Sequence, residues 1–162
     1  MILARPSAAF AFNHPAHFIA LGFGAGLARW APGTAGTLVA FPLWWLIGGG
    51  YGPLALLGIL CFLFAVGVWA CELTGRHLGV ADHGAMCWDE IVAFLLVLAI
   101  VPEEPAWQAA AFFLFRAFDV VKPPPIREFE LRFKGGFGVM FDDILAAGYT
   151  LLVLSIVKRV LL

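Results

Sequence analysis

The sequence predicts an all-α membrane protein, a polytopic bundle of about four to five apolar helices, some of them short or re-entrant. Hydrophobic residues make up 62% of the 162 residues and charged residues only 13%. A soluble domain carries about a quarter charged residues, so this chain has too few polar groups to cover a surface that faces water. The apolar residues also fall into separate stretches of helical length. We therefore expect residues 1–162 to form one membrane-embedded domain.

Five apolar stretches are the candidate helices of this bundle. They cover residues 37–48, 53–71, 91–101, 106–121 and 144–162. A helix that spans a bilayer needs about 20 residues, with about 17 as the lower limit. Only the second and the fifth stretch reach that length unaided, and the third reaches it if its helix begins near Ala85. The first stretch is short enough to be a tilted or re-entrant helix.

The basic residues predict how the bundle is oriented. Five of the ten lysines and arginines lie between residues 116 and 134: Arg116, Lys122, Arg127, Arg132 and Lys134. By the positive-inside rule this segment faces the cytoplasm. Alternation of the helices then places the N-terminus and the 72–88 link on the same side, and the 48–52 and 102–105 links on the opposite side.

Charge, cysteine and histidine content argue against several kinds of site. A net charge of −1 disfavours a nucleic-acid partner, because a surface that follows phosphates needs a basic excess. There are three cysteines in or beside apolar segments: Cys61, Cys71 and Cys87. Their number is odd and their spacing fits no metal site, so we expect them to be buried apolar residues. We expect His14, His17 and His83 to be solvated at the membrane interface.

Two acidic pairs stand directly before apolar stretches. Asp89 and Glu90 lie in WDEIVAF, and Asp142 and Asp143 lie in FDD. Acids in a first helical turn gain about 0.3–1 kcal/mol each from the helix dipole, which is one interpretation. A carboxylate drawn deeper costs at least about 2.5 kcal/mol and is functional by default. Two such pairs at one membrane face favour a metal site, because clustered carboxylates repel one another without a cation and hard oxygen ligands suit Mg²⁺.

The segment FRAFDVVKPPPIR and the following KGGFG contain the candidate phosphate-binding groups. Arg116 and Asp119 share a helix face, either as an ion pair worth about 0.2–0.5 kcal/mol or as part of a site. Three prolines follow Lys122 and end its helix, so this lysine is either a solvated interfacial charge or a fixed phosphate ligand. The glycine-rich turn 134–138 either approaches a phosphate with its N–H groups or is an ordinary turn. It lacks the Walker A spacing.

The segment GFGAGLARWAPGTAGT, residues 22–37, is rich in glycine and other small residues. It fails the dinucleotide-binding fingerprint, and no βαβ unit surrounds it. We expect these residues to pack helices closely together. Thr34 and Thr37 either cap the next helix or contact a ligand, and we expect Thr37 to be the cap.

Four segments taken together resemble the signature segments of the phosphatidylglycerophosphatase A family. In chain order they are APGTAGTLVAFPL, DHGAMCWDEIV, FRAFDVVKPPPI and KGGFGVMFDDILAAGY. The resemblance covers about residues 20–150, and the combination of FRxFDxxKPxPI with GGxGVMxDD is its specific part. Family members often have tryptophan where Pro124 stands, serine where Thr37 stands and glycine where Ala93 stands. None of these departures removes a carboxylate or a basic group.

This resemblance implies an Mg²⁺-dependent lipid phosphatase of the bacterial inner membrane, with its active site facing the cytoplasm. Such an enzyme converts phosphatidylglycerophosphate into phosphatidylglycerol and phosphate. The expected catalytic residues are Asp89, Asp119 and Asp142, with Asp119 as a metal ligand or as the base that orients water. The expected metal ligands are Asp89, Glu90, Asp142 and Asp143. The expected phosphate-binding residues are Lys122, Arg116, Arg127, Lys134 and Thr34.

Two other classes of protein fit parts of the sequence. A small transporter or ion-conducting subunit would also place acids within the membrane, but it would orient them towards a central cavity near mid-bilayer and would not need basic groups beside them. A non-catalytic membrane adaptor would tolerate the loss of Asp89 or Asp142. The residues favour neither direct attack by water nor a covalent phosphoaspartate, and they do not fix the oligomeric state.

Overall fold

The structure, a computed structural model, describes residues 5–161; residues 1–4 and 162 of the predicted domain lie outside this range. Within it the chain is all-α and contains no β-strand. The helices are α1 (Ala8–Asn13), α2 (Pro15–Ala20), α3 (Pro32–Ile47), α4 (Pro53–Leu78), α5 (Trp88–Leu98), α6 (Pro105–Val121), α7 (Ile126–Arg132) and α8 (Gly135–Leu161), with a 3₁₀ segment at Gly22–Leu27. The predicted fold class, an apolar helical bundle, is confirmed.

Helix α5 is the central element of the bundle. It packs against α3, α4, α6 and α8, and nearly all of its side chains are buried, which explains why residues 91–98 are almost uniformly apolar. The third apolar stretch does not reach the length of a full span, because its helix begins only at Trp88 and not near Ala85. The backbone N–H of the preceding residue, Cys87, donates to the carbonyl of Ala20 at 2.9 Å instead of joining the helix. With 11 residues α5 is about 16 Å long, roughly half the thickness of the hydrocarbon core.

Helices α4 and α8 are long and apolar enough to cross a membrane. Helix α8 begins at Gly135 rather than near residue 144, so the predicted glycine-rich turn is in fact its first turn. Two contacts with α4 explain this. The carboxylate of Glu72 accepts a hydrogen bond from the Gly136 N–H at 2.7 Å and so caps the new helix. Gly136 also packs so closely against α4 that a Cβ would overlap the carbonyl oxygen of Val68.

Helices α3 and α6 are shorter than a full membrane span, as expected for some members of the bundle. They contain 16 and 17 residues. Each has a proline in its first turn, where the missing N–H has no helical partner to lose. Because α3 starts at Pro32, Thr37 lies inside it and is not a cap. Its hydroxyl donates to the Gly33 carbonyl at 3.0 Å.

The N-terminal helices α1 and α2 are attached to α4 through histidine. His17 is only 2% exposed, and its ring stacks on Phe10 with centroids 4.0 Å apart. Its Nε2 lies 2.8 Å from Nδ1 of His77 on α4. The expectation that His17 is solvated is therefore wrong, and it is wrong as well for His83, which is only 7% exposed. The buried ring of His17 connects the first helices to the body of the bundle.

One end of the bundle brings together parts of five helices. The start of α5, the end of α6 and the first turns of α8 meet there, and the end of α4 is joined to α8 by the Glu72–Gly136 hydrogen bond. The start of α3 closes the same region, because Gly33 lies directly against side chains of α5 and α6. Most of the charged residues of the predicted site lie at this end of the bundle.

Candidate active site

The two acidic pairs are both buried at this end of the bundle. Asp89, Asp142 and Asp143 are 7%, 4% and 3% exposed. Asp89 and Glu90 occupy the first turn of α5, where the helix dipole favours them. Asp142 and Asp143 lie about two turns inside α8, not in front of it, so the dipole does not explain their placement. Burying carboxylates is costly unless partners compensate them.

Arg116 on α6 compensates part of this charge. Its Nη1 atom donates to Oε1 of Glu90 at 3.0 Å and to Oδ2 of Asp119 at 2.5 Å. All three side chains are less than one-fifth exposed. The contact with Asp119 is the expected i, i+3 pair, whereas the contact with Glu90 joins α6 to α5. Gly33 of α3 packs against this cluster, where a Cβ would overlap Oε1 of Glu90 and lie 2.9 Å from Nη2 of Arg116.

Lys122 compensates a second part of the negative charge of the site. Its Nζ atom donates to Oδ2 of Asp142 at 2.5 Å and to Oε1 of Glu130 at 3.0 Å. Burial alone would lower the pKa of Lys122, but the hydrogen bonds and charges of Asp142 and Glu130 raise it above its ordinary value. The residue sits just after α6 with a left-handed backbone, φ +45°. The following prolines are held on α8, because the Tyr149 hydroxyl donates to the Pro124 carbonyl at 2.9 Å.

The carboxylates of the site outnumber its cations. Asp143 is close enough for its charge to interact with those of four other acids: Asp89, Glu90, Asp119 and Asp142. In contrast to Asp142, it has no cationic partner in the part of the chain that the structure describes. Two buried oxygens, Oδ2 of Asp143 and Oε2 of Glu90, lack a hydrogen-bond partner there. The arrangement is therefore short of positive charge.

The donor set suits a hard divalent cation such as Mg²⁺. Every candidate ligand is a carboxylate oxygen, and two of these oxygens are buried without a partner. Between residues 5 and 161, no three acidic, histidine or cysteine side chains converge closely enough to form a complete metal site. Mg²⁺ does not require that, because it commonly binds one or two carboxylates and completes its shell with water and substrate phosphate. The residues present fit this kind of ion.

A polar cavity of about 160 Å³ opens beside Asp142. Its charged lining residues are Asp82, Glu130, Lys134 and Asp142. Lys134 is exposed at this cavity and can reach an anion there. Glu130 belongs to none of the predicted motifs, because it has the sequence context of a surface residue of α7. The one signal for its role is its position eight residues after Lys122, across a proline turn.

The remaining predicted residues lie at different distances from this centre. Thr34 is half-buried in the first turn of α3, next to Gly33. Arg127 is exposed on α7 and, among the described residues, forms no ion pair with the acids. The structure therefore brings together Asp89, Glu90, Asp119, Asp142 and Asp143 with Arg116 and Lys122. It places Lys134 at the adjoining cavity and Arg127 on the outside.

Comparison with known proteins identifies the family of the chain. The family model of phosphatidylglycerophosphatase A matches residues 18–158. A phosphatidylglycerophosphatase A of Haemophilus influenzae is 43% identical over 152 residues, covering 90% of each chain. That of Escherichia coli is 40% identical over 136 residues, covering 83% of this chain and 78% of the relative.

A Bacteroides thetaiotaomicron protein named "Putative phosphatidylinositol-3-phosphatase" is 38% identical over 151 residues, covering 88% of this chain and 93% of the relative. No solved structure matches the chain. The family match covers α3 to α6 completely, α8 as far as residue 158, and every residue of the acidic site. The chain belongs to the phosphatidylglycerophosphatase A family.

Proposed function

We propose that the protein hydrolyses the terminal phosphomonoester of phosphatidylglycerophosphate to phosphatidylglycerol and inorganic phosphate. The observation that carries this proposal is the buried cluster of acids and bases at one end of an apolar bundle. A phosphomonoester attached to a lipid has to be reached at the membrane surface, and its dianionic group needs fixed cations around it. The names of the Haemophilus and Escherichia relatives support the same substrate.

Lys122 and Lys134 are the proposed phosphate-binding groups nearest to Asp142. Lysine has three donors, and two of those on Lys122 are used by Asp142 and Glu130, so a third is left for a phosphate oxygen. Lys134 adds a second cation at the polar cavity. Arg116 is held by Glu90 and Asp119, but its buried Nε–H has no partner in the described part of the chain and is therefore left for a phosphate oxygen. Thr34 and Arg127 are also proposed to bind the phosphate, but less directly than the two lysines.

The acids are proposed to handle the proton and the attacking group. In the overall reaction a bond forms between phosphorus and a water oxygen, and the bond from phosphorus to the glycerol oxygen breaks. One proton leaves the water, and one reaches the leaving oxygen. Asp119, held in place by Arg116 at 2.5 Å, is suited to accept a proton or to orient the water. Asp89 and Asp142 are the other proposed catalytic residues, and both direct attack by water and a phosphoaspartate are compatible with them.

Asp89, Glu90, Asp142 and Asp143 are the residues proposed to hold Mg²⁺. When bound, the ion would polarise a phosphate oxygen and offset the negative charge that the site carries. The buried, unpartnered oxygens of Glu90 and Asp143 support this assignment. Burial of the acids also excludes bulk water, which strengthens every charge interaction within the site.

We place the protein in the bacterial inner membrane with the acidic end towards the cytoplasm. The basic segment 116–134 belongs to that end, in agreement with the positive-inside rule. The transporter alternative is disfavoured, because the acids are paired with Arg116 and Lys122 at one end of the bundle instead of lining a mid-bilayer cavity.

The test is release of inorganic phosphate by the purified full-length protein in detergent micelles. Phosphatidylglycerophosphate, phosphatidic acid and phosphatidylinositol 3-phosphate are compared, each with Mg²⁺ and with a chelator. Preferential, Mg²⁺-dependent release from phosphatidylglycerophosphate is expected. Preferential release from phosphatidylinositol 3-phosphate would assign the substrate named for the Bacteroides relative. No release from any of the three by folded protein would reject the phosphatase.

A further inference from the structure

An apolar groove of about 320 Å³ runs along the bundle next to the acidic site. Helices α4 and α8 form its walls and α5 forms its floor. The lining residues that matter here are Leu57, Phe64, Val92, Leu96, Phe137 and Ile144. Leu57 and Phe137 are 54% and 44% exposed, so the groove is open on the side that faces the surrounding lipid. It is a depression that a lipid tail can enter from the side.

The direction of the groove follows from the antiparallel packing of α4 and α8. Near the acidic end, Phe64 of α4 packs on Phe137 of α8 with ring centroids 6.0 Å apart. From there the groove continues to Leu57 on α4 and to Ile144 on α8, past the level of Asp142. Seven residues of helix correspond to about 10 Å. The groove therefore runs from the headgroup end of the bundle towards the membrane interior, as an acyl chain does.

The groove lies next to the polar cavity along α8. Phe133 lines the cavity beside Asp142 and Lys134. Its ring centroid is 6.0 Å from that of Phe137, and Phe137 stacks on Phe141 at 5.4 Å inside the groove. One row of aromatic rings thus leads from the charged cavity into the apolar groove. The two depressions share helix α8, whose adjacent faces line each of them.

We infer that this groove binds one acyl chain of the lipid phosphomonoester whose phosphate occupies the polar cavity. The inference rests on the proposed function and adds to it a binding site for the tail. Lipid tails are as apolar as the groove, so the hydrophobic effect does not drive the chain into it. The gain comes from packing contacts between the acyl chain and the side chains of the groove. The groove therefore favours lipids with long acyl chains. A chain too short to reach Ile144 gains little binding free energy from it.

Cys61 offers a direct test, because it is an exposed thiol that lines the groove, contrary to the burial expected from the sequence. Cys61→Trp fills the groove without touching the acids. Phe62→Trp is the matched control, because Phe62 is 66% exposed on the neighbouring face of α4 and does not line the groove. Phosphate release is measured on the full-length protein with dioleoyl and dihexanoyl phosphatidylglycerophosphate, and KM and kcat are determined for each.

Cys61→Trp is expected to raise KM for the dioleoyl lipid on the order of fivefold, which corresponds to the loss of several packing contacts. Its kcat, and both constants for the dihexanoyl lipid, should stay at the wild-type values, which also shows that the variant is folded. Phe62→Trp should resemble wild type with both lipids. Equal effects on both lipids, or none, would overturn the inference while leaving the phosphatase intact. Efficient Cys61–Cys61 cross-linking in membranes would overturn it in favour of a contact with a second copy. Absence of release from either lipid by wild type would reject the proposed function itself.

Discussion

Replacing Lys122 by methionine separates its structural role from its role in binding phosphate. The variant keeps the length of the side chain and removes the ammonium that bonds to Asp142 and Glu130. Glu130 is 40% exposed and can turn to water, but the side chain of Asp142 is only 5% exposed and is left as an uncompensated buried charge. Removing one partner of a buried ion pair costs about 3–5 kcal/mol.

We expect the lower end of that range, because Lys122 is itself 21% exposed. A loss of about 3 kcal/mol corresponds to a fall in Tm of roughly 6–12 °C for a chain of this size. The measurement is thermal denaturation in detergent, together with phosphate release. Lys158→Met, at the opposite end of α8, is the control and should melt like wild type.

The double variant Lys122→Met with Asp142→Asn distinguishes the two roles. It removes the charge that Lys122→Met leaves unpaired, so most of the lost Tm should return while phosphate release stays low. If Lys122→Met melts within about 1 °C of wild type, the ion pair contributes nothing to stability. If it also keeps full activity, the assignment of Lys122 to the site is refuted.

Three further predictions concern residues around the site. Gly33→Ala displaces the Glu90 carboxylate and the Arg116 guanidinium that pack on it, so phosphate release should fall about 100-fold with little change in Tm. Gly58→Ala, where a Cβ meets open space, is the control and should be neutral. Equal activities of the two variants would contradict the close packing at Gly33. Glu72→Ala removes the acceptor for the Gly136 N–H and should lower the free energy of unfolding by about 1 kcal/mol. Arg76→Ala, the control, should leave it unchanged. Equal stabilities of the two variants in a denaturation assay would show that the Glu72 cap is unimportant. Burial and the neighbouring His77 lower the pKa of His17. The contribution of His17 to stability is therefore complete above about pH 6.5 and is lost as the pH falls further. Between pH 7.5 and 5.5 the Tm of wild type should fall more than that of His17→Gln, and parallel curves would contradict this account.

The length and residue types of the apolar stretches were sufficient to predict five helices of this bundle, but neither their ends nor the short helices α1, α2 and α7. The two stretches long enough to span a membrane became α4 and α8. The start of α8 was missed because KGGFG looks like a turn, and glycine is a poor helix former on its own. The cap from Glu72 and the close approach of Gly136 to α4 override that preference. Both contacts depend on residues far away in the sequence.

The contacts within the site were likewise harder to predict than the residues that form it. That acids and bases gather at one end followed from the predicted alternation of helices and from the positive-inside rule. Apart from the Arg116–Asp119 pair, the partners within the cluster could not be predicted, because Arg116 on α6 reaches Glu90 on α5 and Lys122 reaches Asp142 across the proline turn. Such contacts are fixed by how α5, α6 and α8 pack. The roles of the acids as metal ligands stay predictions.

The most direct test of the central proposal, that the buried acids form the catalytic centre, is phosphate release from phosphatidylglycerophosphate by Asp142→Asn. Glu103→Gln, which changes an exposed acid in the 102–105 link, is the matched control. We expect Mg²⁺-dependent release by wild type and by Glu103→Gln, and release reduced at least about 100-fold in a folded Asp142→Asn protein. Undiminished release by Asp142→Asn would contradict the proposal that this cluster performs the chemistry.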